Sequence, residues 1–201
     1  TLARKHALLS ASSAARWISC PPSARLNAEK SDTPSAYAAQ GTDAHMLCEY
    51  KLRKALGERV RDPTKHLTSY DTEMEECAEA YCQFVMEQVE QFRAESKDTM
   101  VSVEQRVDFS AFVPDGFGTA DTLIISGKKV CIVDYKHGKG IEVSADHNPQ
   151  MMCYALGFVQ MFDGLYDIDE VRMVIFQPRL ANISEFIISK ADLLAWAADT
   201  L

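Results

Sequence analysis

The spacing of apolar positions changes near residue 98. Before it they recur every three or four residues, the period of a helix stripe, and after it they alternate or run in short blocks, the habit of strands. The first part predicts helices near Ser12 to Asn27, Thr42 to Leu56 and Asp71 to Glu95. The second of these carries a stripe of Ala44, Leu47, Cys48, Leu52 and Ala55, joined by the stem of Lys51, with His45 at its edge stacked with Glu49. Residues 29–40, rich in Ser, Thr, Pro and Ala, read as a linker-like mobile loop ahead of that helix.

The second part predicts strands near Met100 to Phe109, Gly118 to Ile125 and Lys129 to Lys136. The last two are joined by Ser126-Gly127-Lys128-Lys129, a turn short enough to make them an antiparallel hairpin. Val130-Cys131-Ile132-Val133 is apolar on both faces, which points to a central, buried strand. Asp146-His147-Asn148-Pro149 has the capping residue and first-turn proline of a helix start, and an apolar helix follows to about Phe162. A strand near Glu170 to Gln177, its partner near Ile183 to Ile188, and an amphipathic helix from Ala191 to Leu201 complete the order. These elements predict one α/β domain over residues 1–201: residues 1–98 mainly helical, residues 99–201 a small mixed sheet flanked by helices.

The strand period puts Val130, Ile132, Asp134 and Lys136 on one face, and the hairpin lets Asp121 on the other arm converge with Asp134. Two carboxylates within reach of each other repel unless a divalent cation lies between them, and Mg²⁺ or Mn²⁺ suits such oxygen donors. Lys136 would orient or deprotonate a water, or neutralise charge on a phosphoryl transition state. His45 could add an imidazole ligand with Glu49 as its supporting partner. Gln150 and Tyr154, four apart, share a helix face. Each motif is short enough to arise by accident, but their order along the chain is more specific.

In sequence, Gly41 to His45, Gly118 to Asp121, Asp134-Tyr135-Lys136 and Gln150 to Tyr154 resemble the motifs of the RecB-type branch of the PD-(D/E)XK nuclease superfamily. The surrounding wording, such as Gly41-Thr-Asp-Ala-His45 and Asn148-Pro-Gln-Met-Met, is similar to a phage and prophage family known as a domain of unknown function. The resemblance implies a restriction-endonuclease-like core, αβββαβ, behind a helical N-terminal extension that arches over DNA, with the active site at the sheet edge. It implies a Mg²⁺- or Mn²⁺-dependent deoxyribonuclease, exonuclease rather than endonuclease, of phage recombination or DNA processing. A phage annealing or recombination protein is then an expected partner. Carried over by position, His45, Asp121, Asp134 and the Tyr135 carbonyl hold metal, and Lys136, Asp121 and Asp134 are catalytic. Gln150, Tyr154, Lys139 and Arg16 meet DNA. Glu104 resembles a glutamate that many relatives carry on the preceding strand. Several relatives also hold an iron–sulfur cluster through one N-terminal and three C-terminal cysteines. Cys20-Pro21 matches the first, but no cysteine follows Cys153, so a cluster is expected only in a longer chain, of which this is a C-terminally truncated piece.

The composition, 201 residues with 47% hydrophobic and 25% charged, suffices for a full core without staples. The six cysteines show no Cys-x-x-Cys spacing, and no apolar run nears membrane-spanning length, so a reducing compartment, the bacterial host cytoplasm, is expected and no membrane partner. The net charge of −8 argues against DNA only until its distribution is read. Nine acids against two bases lie between Asp71 and Asp98, one solvated helix face, whereas residues 1–30 carry five bases against Glu29 alone. Two other classes stay open: a catalytically silent nucleic-acid-binding or scaffolding module, and a phosphodiesterase acting on nucleotides in a closed pocket.

Overall fold

A computed structural model describes residues 7–28 and 35–201. Five strands form one sheet in the order β1 to β5: β1 (Met100–Asp108), β2 (Phe117–Ser126), β3 (Lys129–Tyr135), β4 (Glu170–Gln177) and β5 (Asn182–Ser189). All neighbours are antiparallel except β3 and β4, which run parallel because α5 (Pro149–Phe162) carries the chain back between them. The mixed sheet flanked by helices is the predicted fold class, with β5 and the last helix, α6 (Lys190–Thr200), added beyond the αβββαβ order.

Each face of the sheet has its own core. On one, α5 and the N-terminal helix α1 (Ala14–Ser19) cover Leu123, Ile125, Val130 and Ile132. On the other, α3 (Ala36–Ala55) and α4 (Thr72–Glu95) cover Ile124, Cys131, Val133 and Tyr135. β3 is therefore buried on both faces, as its unbroken apolar run requires. Each buried Val or Ile there contributes about 1.5–3 kcal/mol.

The caps explain where the helices begin. Asn148 accepts from the Gln150 and Met151 amides, Asp71 from the Met74 amide and Ser35 from the Ala38 amide. α3 thus starts six residues earlier than its apolar stripe suggests, because Ser35 caps an exposed Ala-rich turn, and residues 35–40 are not linker. The rest of that expected loop, residues 29–34, lies outside the described residues. The helix expected from Ser12 to Asn27 is two short helices, α1 and α2 (Pro22–Ala28), since Pro21 and Pro22 cannot continue α1.

Candidate active site

Between β1 and β2 the register runs unbroken on both sides of Glu104 and Asp121, but these two residues form no ladder pair. Glu104 has a φ of 52°, in the left-handed region that a side chain other than glycine adopts only at a cost. Around this point both strands change the face they bury. Val103 packs on the α3–α4 side while Val107 packs under α5, and Ala120 and Leu123, three apart, both lie on the α5 side. Beside this switch Arg106, Thr119 and Asp121 line one cleft, and Glu104 lies behind it next to His45 and Asp121.

β2 and β3 also part here. Their ladder ends at Thr122 and Val133, and the next free amide, that of Tyr135, donates to Asp121 Oδ2 at 2.7 Å. On the side where β3 has left, the Thr119 carbonyl accepts from the Tyr154 hydroxyl at 2.6 Å. Tyr154 can approach because residue 118 is glycine: a Cβ there would lie 2.9 Å from its ring. The strand ends open into a cleft of about 330 Å³ lined by His45, Arg106, Phe117, Asp121, Asp134, Lys136, Gln150 and Tyr154, together with Ser10 and Ser12.

One metal-sized cluster forms at its wall among the described residues: ligand atoms of His45, Glu104 and Asp121 all lie within 4.8 Å of one another, His45 and Asp121 lining the cleft and Glu104 standing behind them. His45 Nδ1 is 3.1 Å from Asp121 Oδ1. Burial alone would lower this imidazole, but Asp121, helped by Asp134 and Glu104, outweighs it and raises the pKa to about 9. Burial, then the charge of Asp121, pushes Glu104 up to about 7 against the pull of His45 and Arg53. The expected triad of His45, Asp121 and Asp134 is thus changed in one member. Asp134 lines the same cleft but stands outside the tight cluster, because β3 has diverged from β2 at its position.

Asp134 belongs to a second, adjoining set. Gln150 Nε2 donates to its Oδ1 at 2.9 Å, and Gln150 Oε1 accepts from the Lys136 ammonium at 2.9 Å. That ammonium also lies 2.9 Å from Asp134 Oδ2, out of line for a hydrogen bond, so this buried oxygen has charge compensation and no hydrogen-bond partner. Burial lifts the Asp134 carboxyl above its usual range despite Lys136. For Lys136 burial acts downward, but the attraction of Asp134 outweighs it and holds the group above its ordinary value, an ammonium.

The remaining expected residues divide. Gln150 and Tyr154 meet at 3.3 Å and brace the cleft as their helix face predicts. Tyr135 offers its amide to Asp121, and its ring turns to the other face, edge-on to His45. Glu49 does not support His45: it pairs with Arg53, whose guanidinium also reaches the Val103 carbonyl at 2.8 Å and ties α3 to β1 beside Glu104. Arg16 lies outside the cleft but lines a groove that shares Ala7, Ser10 and Ser12 with it. Lys139 is exposed in the loop after β3 and lines neither, its charge falling instead on Glu73 at the start of α4. Lys128 and Lys129, expected as footing for phosphates, sit at the opposite end of β3 and are paired with Asp167, Asp169 and Glu95. The site takes residues from the edge strand β1 and the interior strands β2 and β3, so it opens at the end of the sheet rather than along its edge.

Several parts of the site carry no plain motif. Asp43, buried in α3, accepts from the Thr68 amide and hydroxyl and the Ser69 amide, each at 2.8 Å, and so anchors the helix that presents His45. Arg106 is legible afterwards from the strand period, two residues beyond Glu104. Ser10 and Ser12 had no signal at all.

The family model described as "Protein of unknown function (DUF2800)" matches residues 6–201. The chain belongs to this family. A solved structure titled "Crystal structure of SSO0001" aligns with 80% of this DUF2800 chain and 86% of its own length at 16% identity, with a TM-score of 0.24. At that score the two folds are not shown to be alike.

The donor set of this DUF2800 cleft fits a hard divalent cation. One imidazole and two carboxylates face a single point, a further buried carboxylate oxygen adjoins it without a hydrogen-bond partner, and burial together with the charge of Asp121 pushes Glu104 toward neutrality. The cysteines do not fit an iron–sulfur cluster. Cys20 is a free, exposed thiol at the end of α1, and the other five are buried in the two cores. No helix among the described residues is long and apolar enough to cross a membrane.

Proposed function

We propose that this DUF2800 chain is a Mg²⁺- or Mn²⁺-dependent deoxyribonuclease of the RecB-type PD-(D/E)XK kind. The observation that carries the reading is that His45 and Asp121, clustered with Glu104, share one cleft with Asp134 and a charged Lys136. A divalent ion held there supplies polarisation of a phosphate oxygen and a bound water of lowered pKa.

His45, Glu104 and Asp121 hold that charge in place, with the Tyr135 amide fixing the rotamer of Asp121. Asp134 and Gln150 aim Lys136 into the cleft. Because Asp134 keeps it an ammonium, Lys136 suits the negative charge that develops on phosphorus-bound oxygens better than the removal of a proton from water. Tyr154, with its hydroxyl spent on Thr119 and its ring on Gly118, is a wall of the cleft rather than an acid. Continuity with the groove lined by Ser13, Arg16 and Asn27 favours a strand over a free nucleotide as the occupant.

The test is incubation of the purified protein with end-labelled single- and double-stranded DNA and Mn²⁺ or Mg²⁺, using linear and closed circular forms. Linear DNA is expected to be degraded and closed circles spared, with cleavage abolished by EDTA and by Lys136→Ala. A contaminant-checked preparation that cleaves none of these, while still binding DNA, would establish the silent binding module instead.

A further inference from the structure

The cleft contains one strong cation whose partner is not a carboxylate. Arg106 stands on β1 two residues beyond the break at Glu104, opposite Thr119 in the register. Its guanidinium lies 3.8 Å from the centre of the Phe117 ring, and both residues line the cleft. Among the described residues no ion pair engages it. The largest influences on Glu104 are its burial and the charges of Asp121, His45, Glu49 and Arg53. The charge of Arg106 falls on Asp108, two residues on along β1, without an ion pair, and its guanidinium rests over the Phe117 ring.

The ring beneath it is fixed. Phe117 sits between Gly116 and Gly118, and at both a side chain would collide: a Cβ at Gly116 would lie 2.5 Å from the Phe109 ring, and one at Gly118 2.9 Å from Tyr154. The Gly116 carbonyl accepts from the Phe109 amide at 3.0 Å, and the Gly116 amide donates to the Val113 carbonyl at 2.8 Å, closing the loop tightly. An arginine stacked on such a platform has already given up much of the rotamer freedom that it would otherwise lose on gripping an anion. Its planar fork matches the geometry of a phosphate.

We propose that Arg106, stacked on Phe117, binds a backbone phosphate of a DNA strand next to the one held at the carboxylate cluster. The inference rests on the nuclease reading and adds to it the residue that seats the strand. The same cleft is lined by Ser10 and Ser12, through which it joins a serine-lined groove, so the strand has an arginine and hydroxyl groups to meet.

The test is fluorescence anisotropy with a fluorescein-labelled oligodeoxythymidylate of about twenty nucleotides, in Ca²⁺ to permit binding without cleavage, over a range of KCl. Arg106→Ala is expected to weaken binding by about tenfold or more and to reduce the salt slope by about 0.7, the value of one phosphate on a single strand. Arg106→Lys should recover the slope but only part of the affinity, and Phe117→Leu should weaken binding while keeping the slope. In Mn²⁺, Arg106→Ala should raise KM more than it lowers kcat. Wild-type affinity and slope in Arg106→Ala, with Mn²⁺ stabilisation intact, would overturn the proposal. So would thymidine 5′-monophosphate displacing the oligonucleotide at equal concentration, since the site would then take a free nucleotide. If Arg106→Ala fails to fold, Arg106→Lys and Phe117→Leu decide by the same contrast. Cleavage by wild type with no effect of Arg106 removes this proposal alone, whereas absence of both binding and cleavage in wild type removes the nuclease reading with it.

Discussion

Glu104 and Asp121 face each other at the single interruption in a β1–β2 register that otherwise runs from Met100↔Ile125 to Asp108↔Phe117. Like charges opposite each other destabilise a sheet, and the left-handed backbone at Glu104 adds a cost of about 1–3 kcal/mol. A cation shared by the two with His45 would offset the repulsion, which gives the backbone outlier a physical purpose.

Glu104 and the neighbouring His45 make metal-free stability fall with rising pH. Glu104 and His45 both have folded pKa values raised above their ordinary ones, to about 7 and about 9. Their contribution is therefore complete below their unfolded values and is lost as pH rises through the folded ones. The thermal midpoint without metal should drop between about pH 5 and about pH 9, and the rise produced by Mn²⁺ should grow across that window because the ion displaces these protons. Glu104→Gln should flatten the lower half of the window. A metal-free midpoint that climbs with pH would contradict the assignment.

Removal of the ion's ligands should separate from removal of the lysine. His45→Ala and Asp121→Asn should abolish the Mn²⁺-induced rise in midpoint together with cleavage. Lys136→Ala should retain the rise and lose roughly two orders of magnitude or more in cleavage rate. Calorimetric titration with Mn²⁺ beside a rate assay distinguishes the two groups.

Tyr154→Phe should cost about 1 kcal/mol, since the Thr119 carbonyl loses its donor and Gln150 a neighbour. Urea unfolding measures this directly. A loss of cleavage far beyond what the stability change explains would instead give the hydroxyl a chemical role.

Two glycines should respond with opposite sign to alanine. At Gly157 a Cβ would lie 2.3 Å from Val107 Cγ1 and 2.8 Å from the Asp108 carbonyl oxygen, so α5 must lift from β1 at about 1–3 kcal/mol. At Gly41, inside α3, nothing lies within 4 Å, and alanine should stabilise by about 0.5–1 kcal/mol. Thermal midpoints of the two variants, measured side by side, check the contrast.

The sequence by itself determined the elements and their order, because period and capping are local properties. The unbroken apolar run Val130 to Val133 reads as a buried strand, Asn148-Pro149 as the start of α5, and the hairpin turn pairs β2 with β3 as far as Thr122 and Val133, next to Asp121 and Asp134. Those same local rules located His45, Lys136, Gln150 and Tyr154, each on the face that now lines the cleft. What the tertiary structure decided is which carboxylates converge. Strict alternation along β1 and β2 cannot anticipate the reversal at Glu104, which comes from one backbone angle and the parting of β3 from β2. That reversal draws Glu104 into the cluster, leaves Asp134 to Lys136, and lays Arg106 on Phe117. Distances between residues on different elements depend on how those elements pack, and no period along the chain encodes them.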